Sequence, residues 1–188
     1  MDTRARVDAA TVRRAVAGVA DPELPPVTIG MLGMLHALTV TDAGDVLVEL
    51  LPTYSGCPAT EMIARDVRAA AEAVEGVSTA TVRFCFDPPW TPDRIDAAGR
   101  AALREFGIAP PGGPLPDAPR PSRADRSLPL AVGSTTSTSQ QPVACPYCRS
   151  RDTVRDSAYG PTPCRDLRYC AACQQPFEAF RSEAFRSR

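Results

Sequence analysis

Two C-x-x-C pairs near the C-terminus constrain this chain more than any other feature. Cys145-Pro146-Tyr147-Cys148 and Cys170-Ala171-Ala172-Cys173 are separated by 21 residues, one more than the usual spacing of a four-cysteine metal site. Each turn offers two thiolates, and two such turns surround a tetrahedral cation. A tail of this size with few core hydrophobes needs a metal staple to fold. The expectation is therefore one zinc held by Cys145, Cys148, Cys170 and Cys173, in a ribbon-like domain over residues 145–188. A redox-active C-x-x-C pair and an iron–sulfur cluster are the alternatives for these thiols. Cys164 stands between the pairs as a fifth thiol. Three roles are open to it: a core residue, a substitute or extra ligand, or a ligand of a transient cluster.

Upstream the composition changes. Residues 109–144 hold eight prolines in 36 positions and close on Gly133-Ser134-Thr135-Thr136-Ser137-Thr138-Ser139. Such a stretch buries too little apolar surface to fold and reads as a disordered linker. Residues 1–108 are long enough for an independent core. Overall the chain has 44% hydrophobic and 23% charged residues, the balance of an ordinary soluble globular protein. The formal net charge of −1 divides into −5 for residues 1–108, +1 for 109–144 and +3 for 145–188. Neither the acidic domain nor the mildly basic tail demands a nucleic-acid partner. No apolar run approaches the roughly 20 residues that span a bilayer, and the N-terminus lacks a signal-peptide core. Seven cysteines without an export signal point to metal binding in a reducing cytoplasm, with no membrane partner.

Within residues 1–108 the periodicities alternate. Val7, Val12, Val16 and Val19 share a helical face, ended by Asp21-Pro22-Glu23 and the prolines behind it. Met31–Val40 and Val46–Leu51 read as a hairpin around Thr41-Asp42-Ala43-Gly44-Asp45. Ile63, Val67, Ala70 and Val74 recur at helical spacing over about 58–75. Val77–Phe86 reads as a third strand, broken by Asp87-Pro88-Pro89-Trp90. Thr91 before Pro92 predicts the cap of a last helix whose inner face is Ile95, Ala98, Leu103 and Phe106. The order helix, strand, strand, helix, strand, helix is that of a small two-layer α+β domain.

The second chemical feature lies at the centre of that domain. The run Val46–Leu51 stops at Pro52, and a polar turn leads to Cys57, directly before Pro58. Proline suits the first position of a helix, so Cys57 is expected at or near an N-cap, with a thiol pKa lowered by the helix dipole. A reactive or metal-binding cysteine and a small cysteine packed under the loop are both consistent with this placement.

With these residues placed, the chain resembles a known family. Asp21-Pro22-Glu23, Leu32-Gly33 and Gly56-Cys57-Pro58 are similar to the marks of the small iron–sulfur assembly domain of SufT and the cytosolic iron–sulfur targeting factors. The longer segment Pro52–Ala59, Asp87-Pro88-Pro89-Trp90-Thr91, and the tail from Thr162-Pro163-Cys164-Arg165 to Phe180 narrow the resemblance to the PaaD family. Members of that family are accessory subunits of the phenylacetyl-CoA epoxidase (ring-1,2-oxygenase) system of aerobic phenylacetate degradation. The resemblance covers residues 7–107 and 144–181. It implies support or maturation of the iron-dependent oxygenase and its iron–sulfur reductase, without a catalytic step of its own, and Cys57 as the residue that handles iron or cluster. Iron–sulfur carrier proteins and the epoxidase subunits are the implied partners, and a homodimer is compatible with it. Met31 stands where the assembly domain commonly carries an acidic residue before Leu-Gly.

Two rival functions follow from the residues themselves. A thiol enzyme would use Cys57 as nucleophile and His36, the one histidine, as base. A nucleic-acid-binding ribbon would set Arg149, Arg151, Arg155, Arg165 and Arg168 against phosphates among Tyr147, Tyr159 and Tyr169, although +3 is a low charge for that task.

Overall fold

The computed structural model describes residues 7–111 and 143–181. Helix α1 (Ala9–Ala17) starts where the Asp8 carboxylate accepts the N–H groups of Ala10 and Thr11 at 3.0 and 3.2 Å, satisfying donors that the first helical turn leaves free. Its Val12 and Val16 are buried. A short hairpin, β1 (Ala20–Asp21) and β2 (Leu24–Thr28), follows. The domain's main sheet has the order β3-β4-β5, from β3 (Leu35–Val40), β4 (Asp45–Leu50) and β5 (Thr79–Phe84). β3 and β4 are antiparallel, while β4 and β5 are parallel and joined through α2 (Thr60–Glu72), the crossover that parallel neighbours require. Val46, Val48 and Leu50 of the central strand and Ile63, Val67 and Ala71 of α2 belong to one buried cluster. A 3₁₀ turn (Pro92–Arg94) and α3 (Ala97–Glu105) close the layer.

The expected α+β architecture holds, with local corrections. The first strand of this sheet begins at Leu35 and not Met31, because Gly33 takes φ 63° and residues 29–33 form successive turns, with the Leu32 N–H donating to the Thr28 carbonyl at 3.0 Å. The prolines after Glu23 lie in β2, where a strand paired on one side tolerates their missing donors. The last helix is capped by Asp96, whose Oδ1 accepts the Gly99 N–H at 2.6 Å, while Thr91 heads only the 3₁₀ turn. Ile95, Gly99 and Leu103 form its inner face, and Ala98 and Phe106 are exposed.

The tail is a β-ribbon. β7 (Thr153–Ser157), β8 (Arg165–Cys170) and β9 (Gln175–Phe180) run antiparallel in sequence order. A fourth strand comes from the other domain: β6 (Ile108–Ala109) pairs parallel with β9, Ile108 opposite Glu178 and Ala109 opposite Ala179. The expected boundary at 108/109 thus falls inside a strand of the ribbon's sheet. Most of the expected linker, residues 112–142, lies outside the described residues. Phe180 is 3% exposed and belongs to the core of the N-terminal domain, with Val12, Leu50, Trp90 and Leu103. Tyr147 reaches back as well, so that a Cβ on Gly107 would sit 2.8 Å from its hydroxyl. The two domains pack as neighbours.

Candidate metal centre

The two C-x-x-C turns repeat one backbone device. The Cys145 carbonyl accepts the Arg149 N–H at 2.9 Å, and the Cys170 carbonyl accepts the Gln174 N–H at 2.8 Å. Arg149 and Gln174 are the described non-glycine residues with positive φ, 64° and 57°. Each turn thereby curls its two thiols toward the other. The four Sγ atoms all lie within 4.8 Å of one another, with Cys145–Cys173 at 3.7 Å and Cys148–Cys170 at 3.5 Å. A tetrahedral cation with metal–sulfur bonds of about 2.3 Å sets sulfurs about 3.8 Å apart. The donors present fit such a cation. Backbone N–H groups, first that of Cys173, draw the Cys170 thiol down to about 7. Burial and the neighbouring sulfurs push Cys173 up to about 12, and a bound cation would compensate the charge that four thiolates packed together would carry. The four thiols are arranged as a set that could hold one metal ion.

Cys57 lies two residues ahead of the α2 N-cap, which is Ala59. Its N–H donates to the Tyr54 carbonyl at 3.2 Å, and its own carbonyl accepts the Thr60 N–H and hydroxyl at 3.4 and 3.1 Å. Gly56 gives the Tyr54 ring room, since a Cβ there would come within 3.1 Å of it. The expected fall in thiol pKa is not found. Burial pushes the Cys57 thiol up, and the nearby Glu23, Cys164 and Asp21 add to the rise, against one favourable N–H from Ala59. The half-buried sulfur packs against the core, and desolvation outweighs the helix terminus.

The groups around Cys57 come from three places in the chain. Asp21 and Glu23 belong to the first hairpin, and the Asp21 Oδ1 accepts the Glu23 N–H at 2.8 Å. Burial raises the pKa of both carboxyls, while Arg165 of β8 pulls each back down. Cys164 is buried, its thiol pushed up by desolvation and also facing Glu23, with the Thr162 hydroxyl 3.2 Å from its sulfur. Docking of the ribbon therefore brings Cys164 and Arg165 within electrostatic reach of the acids and thiol of the first domain. In the sequence Cys57 and Cys164 stand far apart, and Asp21-Pro22-Glu23 reads only as a helix stop and a family mark. An acid pair inside an otherwise structural turn is the signal that could have linked them.

Other expectations resolve by position. His36 is exposed on β3, and the charged groups around Cys57 are carboxyls and a thiol, so the histidine expected as base for a thiol nucleophile is not among them. Cys85, just past β5, donates to Glu49 Oε1 at 3.6 Å. Two of the arginines assigned to phosphates are buried in ion pairs. Arg168 grips Asp166 with two bonds of 2.9 and 3.0 Å, and Arg165 pairs with Glu178 at 2.6 Å.

Comparison with known proteins follows the same division. A family model described as "PaaD zinc beta ribbon domain" matches residues 130–181, and one described as "Iron-sulfur cluster assembly protein" matches residues 9–83. The chain is 36% identical over 163 residues to a subunit of the "Putative 1,2-phenylacetyl-CoA epoxidase" of Escherichia coli (strain K12), across 87% of this chain and 86% of that one. The chain belongs to the PaaD family. Beyond PaaD, it is 36% identical over 95 residues to a "Fe-S protein maturation auxiliary factor" of Porphyromonas gingivalis, covering 50% of this chain and 87% of that one. The factor SufT of Staphylococcus aureus matches at 31% over 85 residues, covering 45% and 96%. A crystal structure of a domain of unknown function, DUF59, from Bacillus anthracis overlaps with a TM-score of 0.48 at 27% identity, over 50% of this chain and 90% of that chain. Among the described residues no helix is long and apolar enough to cross a membrane.

Proposed function

We propose that this protein is an accessory subunit of a phenylacetyl-CoA epoxidase system that assists iron or iron–sulfur insertion through Cys57, without a catalytic step of its own. Its clients are the oxygenase or reductase subunits, its sources are iron–sulfur carrier proteins, and it works in the cytoplasm. Iron or cluster is cargo, while zinc at Cys145, Cys148, Cys170 and Cys173 is structural and supplies only a cross-link. The match to an epoxidase subunit along both domains supports the system, and the matches to maturation factors support the task. One observation supports the mechanism: a half-buried thiol on a loop with two carboxyls near it. That surrounding suits a ligand of a soft cation better than a nucleophile.

The test is complementation of a deletion strain with Cys57→Ser, with protein level and zinc content followed in parallel. Loss of epoxidase activity at normal zinc content is expected. Full activity would overturn the role of Cys57. A nucleic-acid reading has less support, because Arg165 and Arg168 are spent on Glu178 and Asp166 within the ribbon.

A further inference from the structure

The ribbon's four-stranded sheet is a wall shared by two cores. Successive side chains of a strand point to opposite faces, and in β6 and β9 those faces belong to different domains. Phe177 and Ala179 of β9 and Ala109 of β6 form one buried cluster with Cys145 and Cys170. Ile108 and Phe180, at alternate positions of the same two strands, are buried in the core of the first domain. Ala109 lies opposite Ala179 in the parallel pairing, so the inner side of the thiol cluster is built partly by a residue that follows α3. On the outer side Cys148 is exposed and Cys173 partly so. A further contact starts from the first C-x-x-C turn itself, where the Tyr147 hydroxyl would stand 2.8 Å from a Cβ on Gly107, the residue before β6.

We propose that β6 and Phe180 make the four-thiol cluster a latch between the domains: the ribbon docks firmly when a thiophilic cation cross-links the cluster and loosens when the cation is removed. The inference is independent of the role given to Cys57. A cross-link among the four sulfurs fixes Cys145 and Cys170, which are 1% and 0% exposed, against Ala109 and Ala179. Without it the turns lose the bonds that order this face of the sheet. Protein interiors are close-packed and transmit such shifts, so disorder beside Ala179 is felt at Phe180, its neighbour on the opposite face. The coupling also runs the other way. Whatever holds the docked state raises the affinity of the thiols for the cation by the same factor by which the cation favours docking. The exposed Cys148 side lets the cation enter or leave while the inner wall stays in place. Metal supply is thereby the input, and the seating of Phe180 with the pairing of β6 and β9 is the output.

The experiment uses the full chain under anaerobic conditions, loaded with zinc or stripped with EDTA. Trp90, the one tryptophan, is buried in the first domain, so its fluorescence follows that domain and not the ribbon. Stripping the metal should lower the Trp90 urea midpoint by about 0.5–1.5 M. In Phe180→Ala the difference between loaded and stripped protein should shrink to about half or less. Affinity is read in parallel by competition between the chain and EGTA for cobalt(II), followed by the thiolate-to-cobalt charge-transfer band. Phe180→Ala should weaken cobalt binding by about 5–150-fold. Val154→Ala, on a ribbon side chain that is 59% exposed, should bind as the wild type does. A Trp90 midpoint indifferent to the metal overturns the latch, as does a wild-type cobalt affinity in Phe180→Ala. An equal loss of affinity in Val154→Ala also overturns it, because the effect would then be fragility of the ribbon alone. Should Phe180→Ala fail to fold, amide exchange in the wild-type protein decides. The peptide containing Ile108 and Ala109 should exchange about tenfold faster or more after stripping, and an unchanged rate overturns the proposal.

Discussion

Phe180 belongs to the ribbon by sequence and to the other domain by packing, and replacing it measures the coupling between them. Phe180→Ala would leave a void among side chains of the first domain, where Phe180 is only 3% exposed. Buried Phe→Ala changes cost about 3–5 kcal/mol, because lost transfer free energy and the residual cavity add. Partial undocking of the ribbon can collapse the void, which favours the lower end of that range. Trp90 is the one tryptophan, and it is buried with its Nε1 donating to the Leu32 carbonyl at 2.7 Å. Its fluorescence therefore reports unfolding of the first domain. With a urea slope of about 2 kcal/mol per M, the midpoint should fall by about 1.5–2.5 M. Phe106→Ala is the control: that ring is 47% exposed, so its shift should stay within about 0.3 M. A Phe180→Ala midpoint as close to wild type as the control's would refute the docking of the ribbon through this ring.

Cys57 should alkylate slowly at neutral pH and faster as pH rises, because burial pushes its thiol up. Chelating the ribbon metal should accelerate the reaction by loosening the Cys164 side, and equal rates with and without chelator, read by peptide mass spectrometry, would contradict this. Asp21 has a folded pKa raised by burial, so its contribution to stability is full below the unfolded value near 3.9 and is lost as pH rises through the folded value. Asp21→Asn, which keeps an oxygen for the Glu23 N–H, should hold or raise the melting temperature at pH 7 and flatten its pH dependence between pH 4 and 7. Asp96→Ala removes the cap of α3 and should cost about 1 kcal/mol in urea unfolding, with zinc content unchanged.

What the sequence disclosed was what local spacing controls. The C-x-x-C pairs predicted a four-thiol cluster because two residues between cysteines suffice to curl a turn, and the structure closes it with Arg149 and Gln174 at positive φ. The apolar run Val46–Leu51 marked a strand and the helical recurrence of Ile63 and Val67 a helix, which the structure shows as the central strand and its crossover. The environment of Cys57 was not legible, because it depends on Cys164, more than a hundred positions away. Helix-terminus logic predicted a lowered pKa, and desolvation by tertiary packing reversed its sign. Arg165 and Arg168 illustrate the same limit. Counted as local charge they suggested phosphates, yet each is neutralised by an acid on the ribbon's own strands.

The borrowed strand β6 has a consequence for dissecting the molecule. In the ribbon's sheet, ordered β6-β9-β8-β7, it covers the flank of β9 that would otherwise present unpaired N–H and C=O groups beside Phe177, Ala179 and Phe180. An apolar strand with an open flank is a template for further strands. A tail fragment beginning at Val143 should therefore self-associate even when fully metallated, and its aggregation would reflect the loss of two residues, Ile108 and Ala109, not a failure of the metal cluster.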